Sequence, residues 1–163
     1  MGKDCDCDHH DNHDKSKGAY AQLSSDINQD ADCHARKVKF NLQDAIENVG
    51  HEVCKPEKIV IKKSGAYFVV AAPQVGTTNK YCPSYADFWM RVNKKDIDNS
   101  NVRVQFSSGA DKDVIVGQAI LELKKGDCLN IMMSGSDGTF IEAIKPSEEP
   151  LIPSIIFSLY KIA

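Results

Sequence analysis

The chain has 163 residues, a hydrophobic content of 42% and a formal net charge of −3. This is enough apolar material for one domain with its own core. The slightly acidic balance and the lack of a basic arm argue against nucleic acid as a partner. The longest apolar run is far shorter than the about 18 residues that a membrane-spanning helix needs, so we expect no membrane insertion.

The first 16 residues form a polar tail that differs from the rest of the chain. Apart from Met1 they include no large apolar residue and cannot pack a core. Thiol and imidazole groups are good ligands for zinc or another transition metal, and the tail carries them at Cys5, Cys7, His9, His10 and His13. The Cys-x-Cys spacing is poor for one closed zinc site. Physiological metal binding, adventitious metal binding and disulfide crosslinking between chains all stay open.

The chain has six cysteines, which could be reduced or paired in disulfides. The chain begins without the hydrophobic segment of an ordinary secretory signal, so reduced thiols are the expected state. One setting would combine oxidation with the missing signal, namely assembly in a cell that later lyses, as around a bacterial spore. Four residues outside the tail would make a looser zinc set if they converged: Cys33, His34, His51 and Cys54.

Residues 17–163 are predicted to form one all-β domain. Short apolar stretches separated by turn signals predict ten strands, at residues 18–24, 37–41, 57–63, 66–72, 87–93, 102–106, 114–123, 128–133, 139–144 and 154–162. Residues 41–49 also allow a helical turn, because apolar residues recur there at helical spacing. Many short strands at this spacing favour an antiparallel β-sandwich or jelly roll.

Two segments, 66–72 and 155–162, are apolar in both phases of a strand, whereas the other clear strands alternate. An alternating strand covers one core and faces water on its other side. A strand that is apolar on both faces has to bury both of them. In a mostly antiparallel protein of this size another copy of the chain most simply supplies the second cover, so we expect an obligate oligomer.

Several motifs resemble the tumour necrosis factor and complement C1q globular-head superfamily. Residues 59–70 resemble its apolar strand, Ser/Pro-Gly-x-Tyr turn and aliphatic strand, and residues 119–131 resemble its Leu-x-x-Gly-Asp-x-Leu hairpin. Residues 37–41, 88–93 and 157–160 are similar to further strands of that family, in the same order. The resemblance covers residues 18–163 and suggests a bacterial-type member.

The resemblance implies a jelly roll that assembles as a homotrimer about an axis through the two doubly apolar strands. The axis-facing residues implied by it are Phe68, Val70, Tyr160 and Ile162, and the residues implied to fill the sandwich are Tyr67, Val69, Phe157 and Leu159. A slip of one residue in register would exchange the two sets.

Other candidate sites are less specific. We expect the long connection 74–86, with Tyr81 and Tyr85, to form a recognition surface together with Trp89; alternatively, Trp89 covers an edge of the sandwich. Turn acids that would bind calcium if they converged lie at Asp96, Asp98, Asp111, Asp113 and Asp137. They are equally compatible with solvated turn caps.

Catalysis finds little support. The sequence has no Gly-x-Ser-x-Gly, His-Glu-x-x-His or phosphate-binding glycine loop, and its histidines lie within the first 51 residues. We therefore predict a non-enzymatic homotrimer that requires no cofactor. Its role would be structural or adhesive, for example at a bacterial spore surface, with an unknown protein or surface as partner. A metal-binding protein and a receptor-binding ligand are the alternatives.

Overall fold

The computed structural model describes residues 18–80, 83–107 and 111–163, and more and less buried residues alternate along several of its longer strands. The tail, residues 1–16, lies outside the described residues. All regular elements of the described residues are β-strands, as predicted. They are β1 (Tyr20–Ser25), β2 (Gln29–Asp30), β3 (Arg36–Lys37), β4 (Leu42–Glu47), β5 (Val49–Glu52), β6 (Lys55–Ile61), β7 (Gly65–Thr77), β8 (Ser84–Val92), β9 (Lys95–Asp96), β10 (Val102–Phe106), β11 (Lys112–Val114), β12 (Gly117–Leu123), β13 (Cys128–Gly135), β14 (Thr139–Ile141) and β15 (Ile155–Lys161).

The strands form two antiparallel sheets. The first has the order β2-β14-β7-β15-β1-β4, with β11 and β12 also paired to β7. The second has the order β10-β8-β13-β6-β5, with β3 paired to β13 and β9 to β8. No helix of the length and apolarity required for a bilayer crossing occurs in the described residues.

The core lies between the inner faces of the two sheets. Phe40 and Phe157 pack there with ring centroids 5.4 Å apart. Tyr67 is fully buried, and its hydroxyl donates a 2.6 Å hydrogen bond to the carbonyl oxygen of Lys63. Burial raises the pKa of Tyr67, which keeps this phenol a neutral donor. The core therefore accepts a large polar side chain because its one polar atom has a partner.

The helical turn considered for residues 41–49 is wrong. Residues 42–47 form β4, which pairs with β1 at the edge of the first sheet, and Val49 begins β5 in the second sheet. Between the two strands Asn48 has a positive φ of 52°, a conformation that asparagine tolerates better than most residues. Sheet pairing overrides the apolar spacing, because β1 supplies hydrogen-bond partners along the whole segment.

The long connection predicted over residues 74–86 is also wrong. Strand β7 continues through Pro73 to Thr77, and β8 begins at Ser84, so the connection is residues 78–83. Val75 and Thr77 are buried, and the end of β7 pairs with β11 and β14. Pro73 has no N–H to donate, but its carbonyl oxygen accepts a hydrogen bond from the backbone N–H of Ile115. The strand therefore tolerates proline at this position.

The turn within residues 59–70 and the hairpin within residues 119–131 each contain a glycine with a positive φ angle. Gly65 has a φ of 154° and Gly126 a φ of 96°, both rare for residues with a side chain. They differ in their surroundings. A Cβ at Gly65 would overlap the side chain of Lys161 and the carbonyl oxygen of Ala163, whereas a Cβ at Gly126 would meet nothing within 4 Å.

This difference predicts a graded series of glycine-to-alanine substitutions. Gly65→Ala should lower the free energy of unfolding by about 2–4 kcal/mol, because it adds both strain and overlap. Gly126→Ala should cost about 1 kcal/mol from strain alone. Gly18→Ala, which meets nothing within 4 Å, should stay within about 0.5 kcal/mol. Urea unfolding at one fixed protein concentration measures the free energy of unfolding of all three variants. Equal effects at Gly65 and Gly126 would contradict the steric difference between the two positions.

Candidate assembly interface

A row of large apolar side chains crosses the outer face of the first sheet. Strand pairing places Ile120 of β12 opposite Phe68 of β7, Phe68 opposite Tyr160 of β15, and Tyr160 opposite Tyr20 of β1. The rings of Phe68 and Tyr160 pack with centroids 5.5 Å apart at an interplanar angle of 59°, a favourable tilted geometry. Four adjacent strands thus present one continuous apolar band.

This band is open to solvent in the single chain. Ile120 is 64% exposed, Tyr160 48% and Tyr20 45%, while Phe68 is half-buried. The other phase of the same two central strands behaves in the opposite way, since Tyr67, Val69, Phe157 and Leu159 are at most 1% exposed. The predicted strand phase is therefore correct: one side of β7 and β15 fills the sandwich and the other faces outward.

Further apolar residues lie on either side of the band. Ile162 donates its N–H to the carbonyl oxygen of Ala66 at one end, and Ile156 pairs with Ala72 towards the other. Ile162 and Ile156 are exposed. A more polar row of residues lies between the band and Ile156. In this row Val70 of β7 is paired with Ser158 of β15 and with Gln118 of β12. The outer face is therefore apolar in two zones that a short polar row separates.

The outer face of the second sheet is built differently along β8, β9 and β10, where charged side chains pair with one another. Arg103 donates two 2.7 Å hydrogen bonds to the Asp87 carboxylate. The same guanidinium carbon lies 4.3 Å from the ring centroid of Tyr85, a cation–π distance. Tyr85 belongs to β8, so the prediction that it lies in a loop is wrong, and Tyr81 lies outside the described residues.

Trp89 belongs to the same charged outer face. Its indole N–H donates to Asp96 Oδ1 at 2.7 Å, and Arg91 donates to both oxygens of Asp96, at 2.6 and 3.0 Å. Trp89 also lies opposite Met132, which is almost fully buried. Trp89 is therefore half-buried on strand β8, with its polar atom satisfied, which favours the alternative that it covers the sheet.

The four residues predicted for the oligomer axis lie on the outward side of the first sheet. Tyr20, Ile120 and Ile156, which were not among them, are exposed apolar residues that extend this outward face over β1, β12 and β15. Ile120 carried a usable signal, because it is an apolar residue at a polar position of the alternating strand 117–123. Contact of these residues with other copies of the chain stays a prediction.

The metal hypotheses have different outcomes. The residues predicted in the tail, Cys5, Cys7, His9, His10 and His13, lie outside the described residues, so metal binding there stays a prediction. Within residues 18–80, 83–107 and 111–163, no three His, Cys, Asp or Glu side chains come together to hold a metal ion. The loose zinc set and the turn acids therefore do not converge within one chain.

Comparisons with known proteins show the fold. No protein-family model and no curated protein matches the chain. Among solved structures, the globular domain of zebrafish complement 1qA protein is similar to it, with a probability of 1.00 and a TM-score of 0.57. The match covers 90% of this chain and 98% of that one at 18% sequence identity. The chain therefore has a C1q-like jelly-roll fold, as predicted, and at this identity the similarity concerns the fold alone.

The Trp89–Asp96–Arg91 cluster predicts a fluorescence transition in acid. The hydrogen bonds from Arg91, supported by Trp89, hold the pKa of Asp96 below its ordinary value of 3.8. Because the native state favours the charged carboxyl, the contribution to stability is complete above pH 3.8 and is lost as the pH falls through the lower native pKa. Trp89 is the only tryptophan, so its emission should change below pH 3.8.

Asp96→Asn is the control for this titration, because it keeps an acceptor for the indole but cannot ionise. The variant should show no such transition, while circular dichroism confirms that both proteins remain folded over the same pH range. A transition of unchanged midpoint in Asp96→Asn would mean that another group controls the emission of Trp89.

Deletion of residues 1–16 tests the tail. We expect the full chain to retain zinc, nickel or copper after dialysis and the shortened chain to retain none, because thiol and imidazole ligands are concentrated in the deleted segment. Metal analysis by mass spectrometry measures this, and equal retention by both proteins would exclude the tail as the site. Non-reducing gels of the same two proteins test crosslinking through Cys5 and Cys7.

Proposed function

We propose that this chain is a non-enzymatic module that assembles as a homotrimer through the outer face of its first sheet and serves a structural or binding role. The observation that carries the proposal is the exposed band formed by Tyr20, Tyr160, Phe68 and Ile120. An exposed apolar patch of this kind marks an interaction surface. A second copy of the chain is the natural occupant, because the same face on each copy is apolar in the same way.

Burial of the apolar face would offset the cost of association. Each half-exposed large apolar side chain gains on the order of 1 kcal/mol when the rest of its surface is buried. The band and its flanks offer several such residues in every copy: Tyr20, Ile120, Ile156, Tyr160 and Ile162. Their sum over three copies is comparable with the cost of association. The threefold number itself comes from the resemblance to the C1q-like heads.

The proposed trimer also suggests where such a protein would act. A trimeric head presents its loops and its second sheet outward, so it is suited to a surface layer or to holding a partner protein. The bacterial spore surface and the receptor-binding role stay predictions from the sequence, as does metal binding by the tail. The non-enzymatic assignment is supported by the lack of a catalytic motif in the sequence and by the C1q-like fold.

Ile120→Asp tests the assembly face. Ile120 is 64% exposed in the single chain, so a carboxylate there should leave the monomer folded. In a trimer the same carboxylate would enter an apolar contact, where burying an unpaired charge costs several kcal/mol. Multi-angle light scattering should give about three times 18.0 kDa for the native protein and about one chain mass for the variant.

Val53→Asp is the matched control, because Val53 is 59% exposed but lies in the turn between β5 and β6, away from the face. This variant should remain trimeric. A native protein that is a monomer at micromolar concentration would disprove the assembly proposal. An intact trimer carrying Ile120→Asp would show that another surface mediates assembly.

A further inference from the structure

A basic groove lies at the edge of the sandwich, where β4 of the first sheet approaches β5 and β6 of the second. We propose that this groove binds a small organic oxyanion, a phosphate or sulfate ester whose carbon skeleton lies on an aliphatic floor. The groove has a volume of about 390 Å³ and is lined by residues of β4, β5 and β6 and their borders. The aliphatic part of the lining is Ile46, Val49 and Val60, and the charged part is Lys55, Lys58, Lys62 and Glu52.

Strand register explains how the lysines come together. Lys58, Val60 and Lys62 alternate with Ile59 and Ile61, which are fully buried, so the first three share the opposite face. Gly50 pairs with Val60 across the hairpin. A Cβ at position 50 would lie 3.3 Å from Cε of Lys62, so the missing side chain leaves room for the lysine stem to lie across the strand.

The lysines of the groove are not neutralised by the described part of the chain. All three are exposed, and none of them takes part in an ion pair between the described residues. Three lysines against Glu52 leave a local excess of two positive charges, although the whole chain has a formal charge of −3. Clustered like charges at one end of an acidic protein attract an anion.

One wall of the groove is fixed by partly buried hydrogen bonds. Gln43 Nε2 donates to the carbonyl oxygen of His51 at 2.8 Å and lies 3.0 Å from Nδ1 of the same residue. Nε2 of His51 lies 3.3 Å from the carbonyl oxygen of Pro56. The tautomer with the proton on Nε2 satisfies both ring contacts. This arrangement ties β4 to β5 and holds the groove open without a ligand, as small-ligand sites usually are.

The chemistry of the lining selects the ligand class. Lysine ammonium groups are compact point charges that suit phosphate and sulfate oxygens. An inorganic ion would leave the aliphatic floor uncovered, whereas the carbon skeleton of an ester would cover it. The volume lies near the lower end of the range for small-molecule pockets, which fits a ligand about the size of a phosphorylated sugar.

Calorimetric titration with glucose 6-phosphate, glucose 6-sulfate, inorganic phosphate and glucose tests the proposal on the full chain. Both esters should bind more tightly than inorganic phosphate, and glucose should not bind. The affinity should fall as salt is raised. Amide resonances of Gly50 and Val60 should shift on addition of either ester. Shifts confined to other residues would overturn the assignment of the site.

Lys58→Gln combined with Lys62→Gln should weaken binding of glucose 6-phosphate about tenfold, as expected for two partly exposed ion pairs. The control, Lys95→Gln with Lys125→Gln, makes the same charge change at two exposed lysines outside the groove and should change affinity less than about twofold. Thermal unfolding should show that both double variants are folded. Unchanged affinity in the first pair, equal affinity for phosphate and its ester, or no binding of either ester would overturn the proposal. None of these outcomes depends on the trimer.

Discussion

The architecture depends on the pairing of β7 with its neighbours in one register. This strand has 13 residues and pairs with β12 and β15 along its first half and with β11 and β14 towards its end. Because side chains alternate between faces, that register decides at once which residues fill the sandwich and which face outward. A slip of one position would bring Tyr67 and Val69 to the surface and place Phe68 and Val70 in the core. The tight turn at Gly65, against Lys161 and the chain end, opposes such a slip at the start of the strand.

The two outer faces of the sandwich differ in polarity. On the second sheet the outer face is charged: Arg103 pairs with Asp87 and Arg91 with Asp96 along β8, β9 and β10, and the lysines of the groove are exposed. On the first sheet, the corresponding positions of four neighbouring strands are aromatic or aliphatic. A polar face is stable in water on its own, whereas an apolar face gains free energy only when something covers it. The asymmetry therefore supports the first sheet as the proposed assembly face, on grounds that do not use the similarity to other proteins.

The sequence predicted the parts of this structure that follow from a period of two. Alternation singled out residues 66–72 and 155–162 as apolar in both phases, and the resemblance alone implied the inward set of Tyr67, Val69, Phe157 and Leu159. The sequence did not predict where β7 ends, because Pro73 and Gly76 resemble loop residues until β11 and β14 supply partners. Nor did it predict the groove, which requires Gly50 to lie opposite Val60. Lysines three and four residues apart are common on solvated strands, and only the pairing of β5 with β6 shows that Lys62 lies over a glycine.

The assembly face and the groove reinforce each other physically if both proposals hold. The groove lies along β4, β5 and β6, while the apolar band crosses β12, β7, β15 and β1. Although β4 pairs with β1, Ile46 of the groove lies opposite buried Ala21, whereas Tyr20 of the band lies opposite Glu47, so the two sites use opposite faces of these strands. A single groove of partly exposed lysines gives only weak affinity for an anion. Three copies held at fixed distances would present three such grooves together, and a surface carrying many phosphate or sulfate groups would engage them simultaneously. Avidity would then exceed the affinity of one site without any new contact, so a head with weak individual sites could adhere firmly to a densely charged surface while binding the same ester only weakly when it is free in solution.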